Sequence, residues 1–214
     1  MREIFDKVAA IGVVPVIAIN DASHALPLAE ALLEGGLGVA EITFRTEAAE
    51  EVIATLSQKL PEMLTGAGTI LTREQAKRAA SAGATFGLAP GYYPEILAAA
   101  RELRMEFAPG IMTPSEISLA AAQGCRLMKF FPATPAGGPS MLKNINAPFA
   151  HMGIRFIPTG GATLDTMKDW LALPEVAAVG GTWIAKPEDM RNGDWSGIAG
   201  RARAAVARVR EIRG

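Results

Sequence analysis

Short apolar runs alternate without exception with longer stretches of helical spacing, and this alternation limits the fold more than any other feature of the chain. The runs fall at Val13–Ile19, Val39–Arg45, Met63–Thr69, Thr85–Pro90, Glu106–Ile111, Arg126–Pro132, Arg155–Thr159 and Val176–Ile184. Helical spacing fills 22–34, 46–60, 72–82, 93–104, 114–123, 138–146 and 163–172, with a closing helix around 197–212. Several of these stretches stop at a glycine, as at Gly35-Gly36, Gly83 and Gly124, where a left-handed helix end would form. Strands that alternate with helical crossovers pair in parallel. Eight units within 214 residues predict an α/β fold of the (β/α)8 TIM-barrel type, with residues 2–10 as a short N-terminal lead-in helix and 1–214 as one domain. An open doubly wound sheet would carry a glycine-rich turn after its first strand, and Ile19-Asn20-Asp21-Ala22-Ser23 is not one.

Several partners are argued against by charge and composition. The formal net charge is -1 and no basic run occurs, so neither nucleic acid nor an anionic membrane surface has electrostatic support. No apolar run approaches the roughly 20 residues that span a bilayer. The opening residues, Met1 to Lys7, are charged where a secretion signal would be apolar. The single cysteine, Cys125, fits a reducing compartment, and the expected location is the cytoplasm. His24 and His151 stand far apart and outside any ligand-spaced cluster. The chemistry is therefore expected to use neither a metal nor a histidine base, and no cofactor is expected.

One lysine breaks an otherwise apolar run, Leu127-Met128-Lys129-Phe130-Phe131-Pro132. Desolvation disfavours the charged form of an amine, and a neutral amine is a nucleophile. A lysine snorkelling from a strand end or meeting a carboxylate fits the stretch equally well, and the run by itself does not separate the two readings. Side chains alternate along strands with a period of two, and in a barrel the C-terminal strand ends form the site. That period groups Val39, Glu41, Thr43 and Arg45 on one face. The apolar Ala40, Ile42 and Phe44 are expected to pack on the helices, which puts Glu41 and Arg45 inside the barrel. The same period groups Leu127, Lys129 and Phe131 on one face of the sixth strand. It groups Thr65, Ala67 and Thr69 on the third strand, and Arg155, Ile157 and Thr159 on the seventh, Arg155 at the far end as a structural residue. The expected mouth thus gathers Lys129, Glu41, Arg45, Thr69 and Thr159. A structural ion pair would account for Glu41 and Arg45, and β-propensity alone for the threonines. Two glycine pairs, Gly160-Gly161 and Gly180-Gly181, follow the last two strands, where barrels commonly hold phosphate on main-chain N–H groups; tight turns use glycine as well.

Four motifs give these residues a family likeness. Glu41-Ile42-Thr43-Phe44-Arg45-Thr46, Gly66-Ala67-Gly68-Thr69, Lys129-Phe130-Phe131-Pro132-Ala133 and Pro158-Thr159-Gly160-Gly161 occur in the order and spacing of 2-keto-3-deoxy-6-phosphogluconate (KDPG) and 4-hydroxy-2-oxoglutarate (KHG) aldolases. The chain resembles that family from Val14-Pro15-Val16-Ile17 to Gly181-Thr182-Trp183. The resemblance implies a metal-independent class I aldolase that assembles as a homotrimer. It would cleave the phosphorylated keto acid reversibly to pyruvate and glyceraldehyde 3-phosphate, and act on 4-hydroxy-2-oxoglutarate as well. By motif, Lys129 is similar to the Schiff-base lysine and Glu41 to the general acid/base. Arg45 and Thr69 resemble the grip on the pyruvate carboxylate, Thr159 the threonine beside the reacting carbons, and Phe131 and Pro90 the pocket wall. Gly160, Gly161, Gly181 and Thr182 resemble the phosphate cradle, with threonine at 182 where relatives often have serine. Some relatives carry a basic residue on the first strand, where Val14–Ile19 has none.

Other readings use the same residues differently. An aldolase preferring 4-hydroxy-2-oxoglutarate or 2-dehydro-3-deoxy-6-phosphogalactonate would share the lysine. A phosphosugar isomerase or epimerase would use Glu41 as a proton shuttle without a covalent adduct. A non-catalytic barrel would use Lys129 only to pair an anion.

Overall fold

A computed structural model describes residues 3–214. Its strands are β1 (Val13–Ile17), β2 (Val39–Thr43), β3 (Leu64–Gly68), β4 (Phe86–Leu88), β5 (Glu106–Ala108), β6 (Gly110–Ile111), β7 (Leu127–Phe130), β8 (Arg155–Pro158) and β9 (Val179–Gly181). The first helices are α1 (Glu3–Ile11), α2 (Ala25–Glu34), α3 (Ala49–Lys59), α4 (Arg73–Ser81) and α5 (Pro94–Glu102). They are followed by α6 (Pro114–Ala122), α7 (Gly138–Asn146), α8 (Met167–Leu171), α9 (Pro187–Arg191) and α10 (Trp195–Arg213). Helix α1 is the expected lead-in, and the expected start at residue 2 lies outside the described residues.

The fold is α/β, and every strand pair is parallel. Six strands form a sheet in the order β5-β4-β3-β2-β1-β9, and three form a second, β6-β7-β8. The fifth expected strand is the point of transfer between them. Pro109 interrupts Glu106–Ile111, because a residue without N–H cannot continue a ladder. The carbonyl of Ala108 still accepts from Ala89 in the first sheet, at 3.3 Å, while that of Pro109 accepts from Lys129 in the second, at 2.8 Å. At the other edge, single parallel bridges join Phe156 to Val176 and Thr159 to Gly180.

Expected boundaries shift in a consistent direction. Ile19, Arg45, Thr69, Pro90 and Phe131 all lie beyond their strands' C-terminal ends, because the chain leaves the ladder there to turn into the loops. The last expected strand, Val176–Ile184, keeps only Val179–Gly181 as ladder, and the following loop holds the short helix α9, which the spacing did not suggest. Asp21 caps the short 3-10 turn Ala22–His24 that leads into α2: its carboxylate accepts from Ser23 N–H at 2.9 Å, and hydrogen bonds from Ser23 hold its carboxyl below the usual range. Gly36, Gly83 and Gly124 end their helices with left-handed φ of 78°, 94° and 78°. At the N-terminal ends of the strands, Glu106 accepts from the N–H groups of Ile4 and Phe5, capping α1. Phe5 meets Phe86 edge to face there, with ring centroids 6.1 Å apart. No helix among the described residues is long and apolar enough to cross a membrane.

Candidate active site

Glu41 and Lys129 come from different sheets and meet. Lys129 Nζ donates to Glu41 Oε1 at 2.8 Å, and the two residues are only 5% and 0% exposed. The second carboxylate oxygen, Oε2, is buried with no hydrogen-bond partner. Burying charges this deeply is costly, and replacing such a pair by apolar side chains often raises stability. An orphaned carboxylate oxygen beside the pair adds to the cost, which makes a purely structural role a poor account of it.

Room for the pair is made by missing side chains. A Cβ at Gly68 would lie 2.1 Å from Glu41 Oε1 and 2.7 Å from its Cδ. Gly66 pairs with Glu41 across β2 and β3, so Gly66 and Gly68 form the part of β3 that faces the carboxylate. The expected inward set Thr65, Ala67 and Thr69 is therefore corrected for its strand members: Thr65 and Ala67 look the other way. The side-chain period was sound, but its phase is set by the space Glu41 needs. Thr69 escapes the alternation, since its backbone turns left-handed, φ 56°, directly after the strand. A non-glycine residue there costs about 1–3 kcal/mol and persists where the surroundings enforce it.

Arg45 departs from expectation as well. It stands past the end of β2 and is exposed, not inside. Its N–H donates to Thr43 C=O at 2.7 Å, and its Nε donates to Thr43 Oγ1 at 3.1 Å. The guanidinium thereby folds back over the strand that carries Glu41. Phe44 goes to the opposite face, where the Arg78 guanidinium lies 5.8 Å from its ring centroid. Phe131 is 38% exposed just beyond β7, with its ring centroid 6.0 Å from Lys129 Nζ. Pro90 is half-buried, and Gly110 lacks a side chain where a Cβ would strike the Pro90 carbonyl at 2.2 Å.

Thr159 is buried, and a Cβ at its bridge partner Gly180 would come 2.1 Å from Thr159 Oγ1. Gly160 and Gly161 have left-handed φ of 99° and 84°. A Cβ on Gly160 would approach Phe131 Cε2 at 3.4 Å, so this loop borders the lysine's aromatic neighbour. The expected helix at 163 begins only at Met167, because Thr163 and Thr166 first close a hydrogen-bonded turn. Gly181 is buried, and a Cβ there would meet the Trp183 ring at 2.3 Å, so the position has no room for a side chain. Thr182 is exposed. Thr69, Pro90 and Thr182 share the C-terminal strand ends but make no hydrogen bond to the Lys129–Glu41 pair.

Sequence reasoning gave no role to Thr43, Gly68 and Gly110, and read Gly180 only as part of a turn or phosphate pair. The three glycines leave room for a neighbouring segment: Glu41 at Gly68, Pro90 at Gly110 and Thr159 at Gly180. A separate cavity of about 380 Å³ opens at the N-terminal strand ends, beside Phe5, Met105, Phe107, Cys125, Leu127 and Arg155. Arg155 is paired there with Asp6 at 2.8 Å, and burial pushes the Cys125 thiol up against the opposing pull of Arg101 and Arg126. A thiol so shifted is a poor nucleophile.

The site is thus a buried lysine–carboxylate pair held between the two sheets of a parallel α/β fold. The family profile described as KDPG and KHG aldolase matches residues 4–200. The chain is 44% identical over 195 residues to the 2-dehydro-3-deoxy-phosphogluconate aldolase of Dickeya dadantii, covering 91% of each. It is 41% identical to the KHG/KDPG aldolase of Escherichia coli, covering 91% of this chain and 90% of the relative. Among solved structures, the KDPG aldolase of Legionella pneumophila, with pyruvate captured as a covalent carbinolamine, superposes with a TM-score of 0.90 at 40% identity, covering 94% of this chain and 97% of that one. The Zymomonas mobilis enzyme with 3-phosphoglycerate gives 0.87 at 35% identity, covering 97% and 96%. The chain belongs to the KDPG and KHG aldolase family.

Proposed function

We propose that this chain is a class I aldolase that cleaves 2-dehydro-3-deoxy-6-phosphogluconate reversibly to pyruvate and glyceraldehyde 3-phosphate, and also acts on 4-hydroxy-2-oxoglutarate. The observation that carries the reading is the 2.8 Å contact between buried Lys129 and buried Glu41, whose second oxygen is unpartnered. Lys129 Nζ attacks the C2 ketone, and loss of water leaves an iminium. Glu41 takes the proton of the C4 hydroxyl as the C3–C4 bond breaks, and the bonding pair moves into the iminium to give an enamine. The aldehyde leaves, the enamine takes a proton at C3, and water releases pyruvate and restores the amine. The Arg45 fork suits the planar carboxylate, with Thr69 beside it. Thr159, Phe131 and Pro90 wall the reacting carbons. Gly160 and Gly161, with Gly181 and Thr182, receive the phosphate.

The enclosing architecture we infer is a single-domain (β/α)8 barrel assembled from both sheets. Its support is the Pro109 transfer at one seam and the Thr159–Gly180 bridge at the other. Assembly as a homotrimer follows the family resemblance, and large apolar side chains left exposed at Leu71, Met112 and Leu119 fit self-association, which sedimentation measures. The lone cysteine fits a cytoplasmic location.

Borohydride reduction in the presence of pyruvate, followed by intact mass and peptide mapping, tests the chemistry. The expected product is one reduced pyruvate adduct on Lys129, absent from Lys129→Ala. An unmodified lysine together with turnover of a phosphosugar would favour an isomerase or epimerase and overturn the aldolase reading. A preference in kcat/KM for phosphorylated over unphosphorylated substrate is expected from the loop at Gly160; equal values would remove that loop from the reading.

A further inference from the structure

The grip on the carboxylate has a hidden support. Thr43 is buried in the strand that carries Glu41, 1% exposed, and its hydroxyl donates to the Ile17 carbonyl of β1 at 2.9 Å. That bond fixes the hydroxyl hydrogen, so the lone pairs of Oγ1 are the part free to face the strand end. Arg45 Nε donates to them at 3.1 Å, while the Arg45 N–H returns to the carbonyl of the same threonine at 2.7 Å. Main chain and side chain of an exposed arginine are thus both tied to one buried residue. The bond uses Nε alone, and among the described residues no carboxylate pairs with Arg45, so the two Nη groups are left for a ligand. A guanidinium held by Nε presents its Nη edge as a two-pronged fork, the geometry that meets a planar carboxylate.

We propose that Thr43 is the positioning residue of the carboxylate clamp: its hydroxyl relays the rigidity of β1 to the Arg45 guanidinium and presets the fork before substrate arrives. The inference rests on the assignment of Arg45 as the carboxylate grip and extends it to a residue that touches no substrate. Without the hydroxyl, a long exposed side chain must be ordered by the substrate itself, at the expense of affinity. Because Thr43 acts through Arg45, its loss weakens binding of the 2-oxo acid and spares the chemical step on Lys129.

Thr43→Val keeps the branched shape and removes the hydroxyl; Thr43→Ser keeps the hydroxyl. Thr43→Val is expected to raise KM for cleavage, and the pyruvate concentration giving half-maximal borohydride trapping, by about 10-fold, the size of one hydrogen bond to a charged group. Its kcat per trappable site stays within about 3-fold of the parent, a spread smaller than one such bond. Thr43→Ser restores the parent KM. In an Arg45→Ala background Thr43→Val adds nothing further, as expected of two residues on one path. A parental KM in Thr43→Val, a loss in kcat alone, or an undiminished effect without Arg45 overturns the proposal. Exchange of the Arg45 Nε–H with solvent, followed by NMR, separates the two levels of argument. Faster exchange in Thr43→Val is the expected result, and unchanged exchange refutes the positioning contact whatever the enzyme catalyses. Failure of wild-type trapping would instead strike the aldolase reading.

Discussion

The two ends of the site are built from different materials. Around Lys129 the proposed reacting groups, Lys129 and Glu41, are side chains buried on strands of the two sheets, and Gly68 leaves space for the carboxylate. At Gly160 and Gly161 the chain offers main chain only, in left-handed conformations, on a loop. Side chains on strands are placed by ladders that cannot move without unfolding the sheet, whereas a loop can shift by tenths of an ångström at little cost. The lysine end should therefore answer substitution with near loss of activity, and the loop end with graded change.

The largest effect expected from a single charge removal is at Glu41. Glu41→Gln keeps the shape and a hydrogen-bond acceptor for Lys129 but removes the proton acceptor. Imine trapping with pyruvate should survive, while steady-state cleavage falls by about 10²- to 10⁴-fold, the range of general acid–base contributions. Normal turnover in that variant would mean that the base lies elsewhere and that the contrast between the ends is misdrawn. A smaller loss is expected from Gly68→Ala, which touches no reacting atom. Its methyl would have to share space with a carboxylate oxygen 2.1 Å away. Displacing a catalytic group by about 1 Å can cost on the order of 100-fold in rate. The assay is kcat alongside borohydride trapping, and parental kcat would show that Glu41 has room to retreat.

How much of this was legible beforehand follows the same division. Lys129 stood out because a lysine amid Leu127, Met128 and Phe130 contradicts its surroundings, though the run alone did not separate a nucleophile from a paired cation. Glu41 was placed by the strand face it shares with Val39 and Thr43 and by family likeness. The alternation of strands and helices announced the parallel α/β fold, since it is written in the local spacing of every unit. What the spacing did not hold was phase and reach. Whether Thr65 or Gly66 faces the interior depends on where β3 lies against β2, which is a matter of register between distant segments. The exposed turn at Arg45 and the split at Pro109 depend on where each ladder ends, and an apolar run continues past that point because loops at the mouth are half-buried too. Gly68, Gly110 and Gly180 look alike in sequence to turn glycines; only the atoms that approach them distinguish the two uses.

The mildest perturbation is Gly161→Ala, and it tests the loop half of the contrast most closely. Two costs act at that position. The backbone is held at φ 84°, where a residue with a Cβ is disfavoured by roughly 1–2 kcal/mol. The added methyl would also meet Thr134 Cβ at 2.6 Å. Both strains can be relieved by movement of the exposed loop, and neither reaches Lys129 or Glu41. The expected outcome is a KM for the phosphorylated substrate raised by about 5- to 30-fold, the range that 1–2 kcal/mol covers, with kcat for unphosphorylated 4-hydroxy-2-oxoglutarate near the parent value. Should both substrates suffer equally, the loop would be supporting the lysine end as well, through the closeness of Gly160 to Phe131, and the division between side-chain and main-chain halves would give way to a single coupled site.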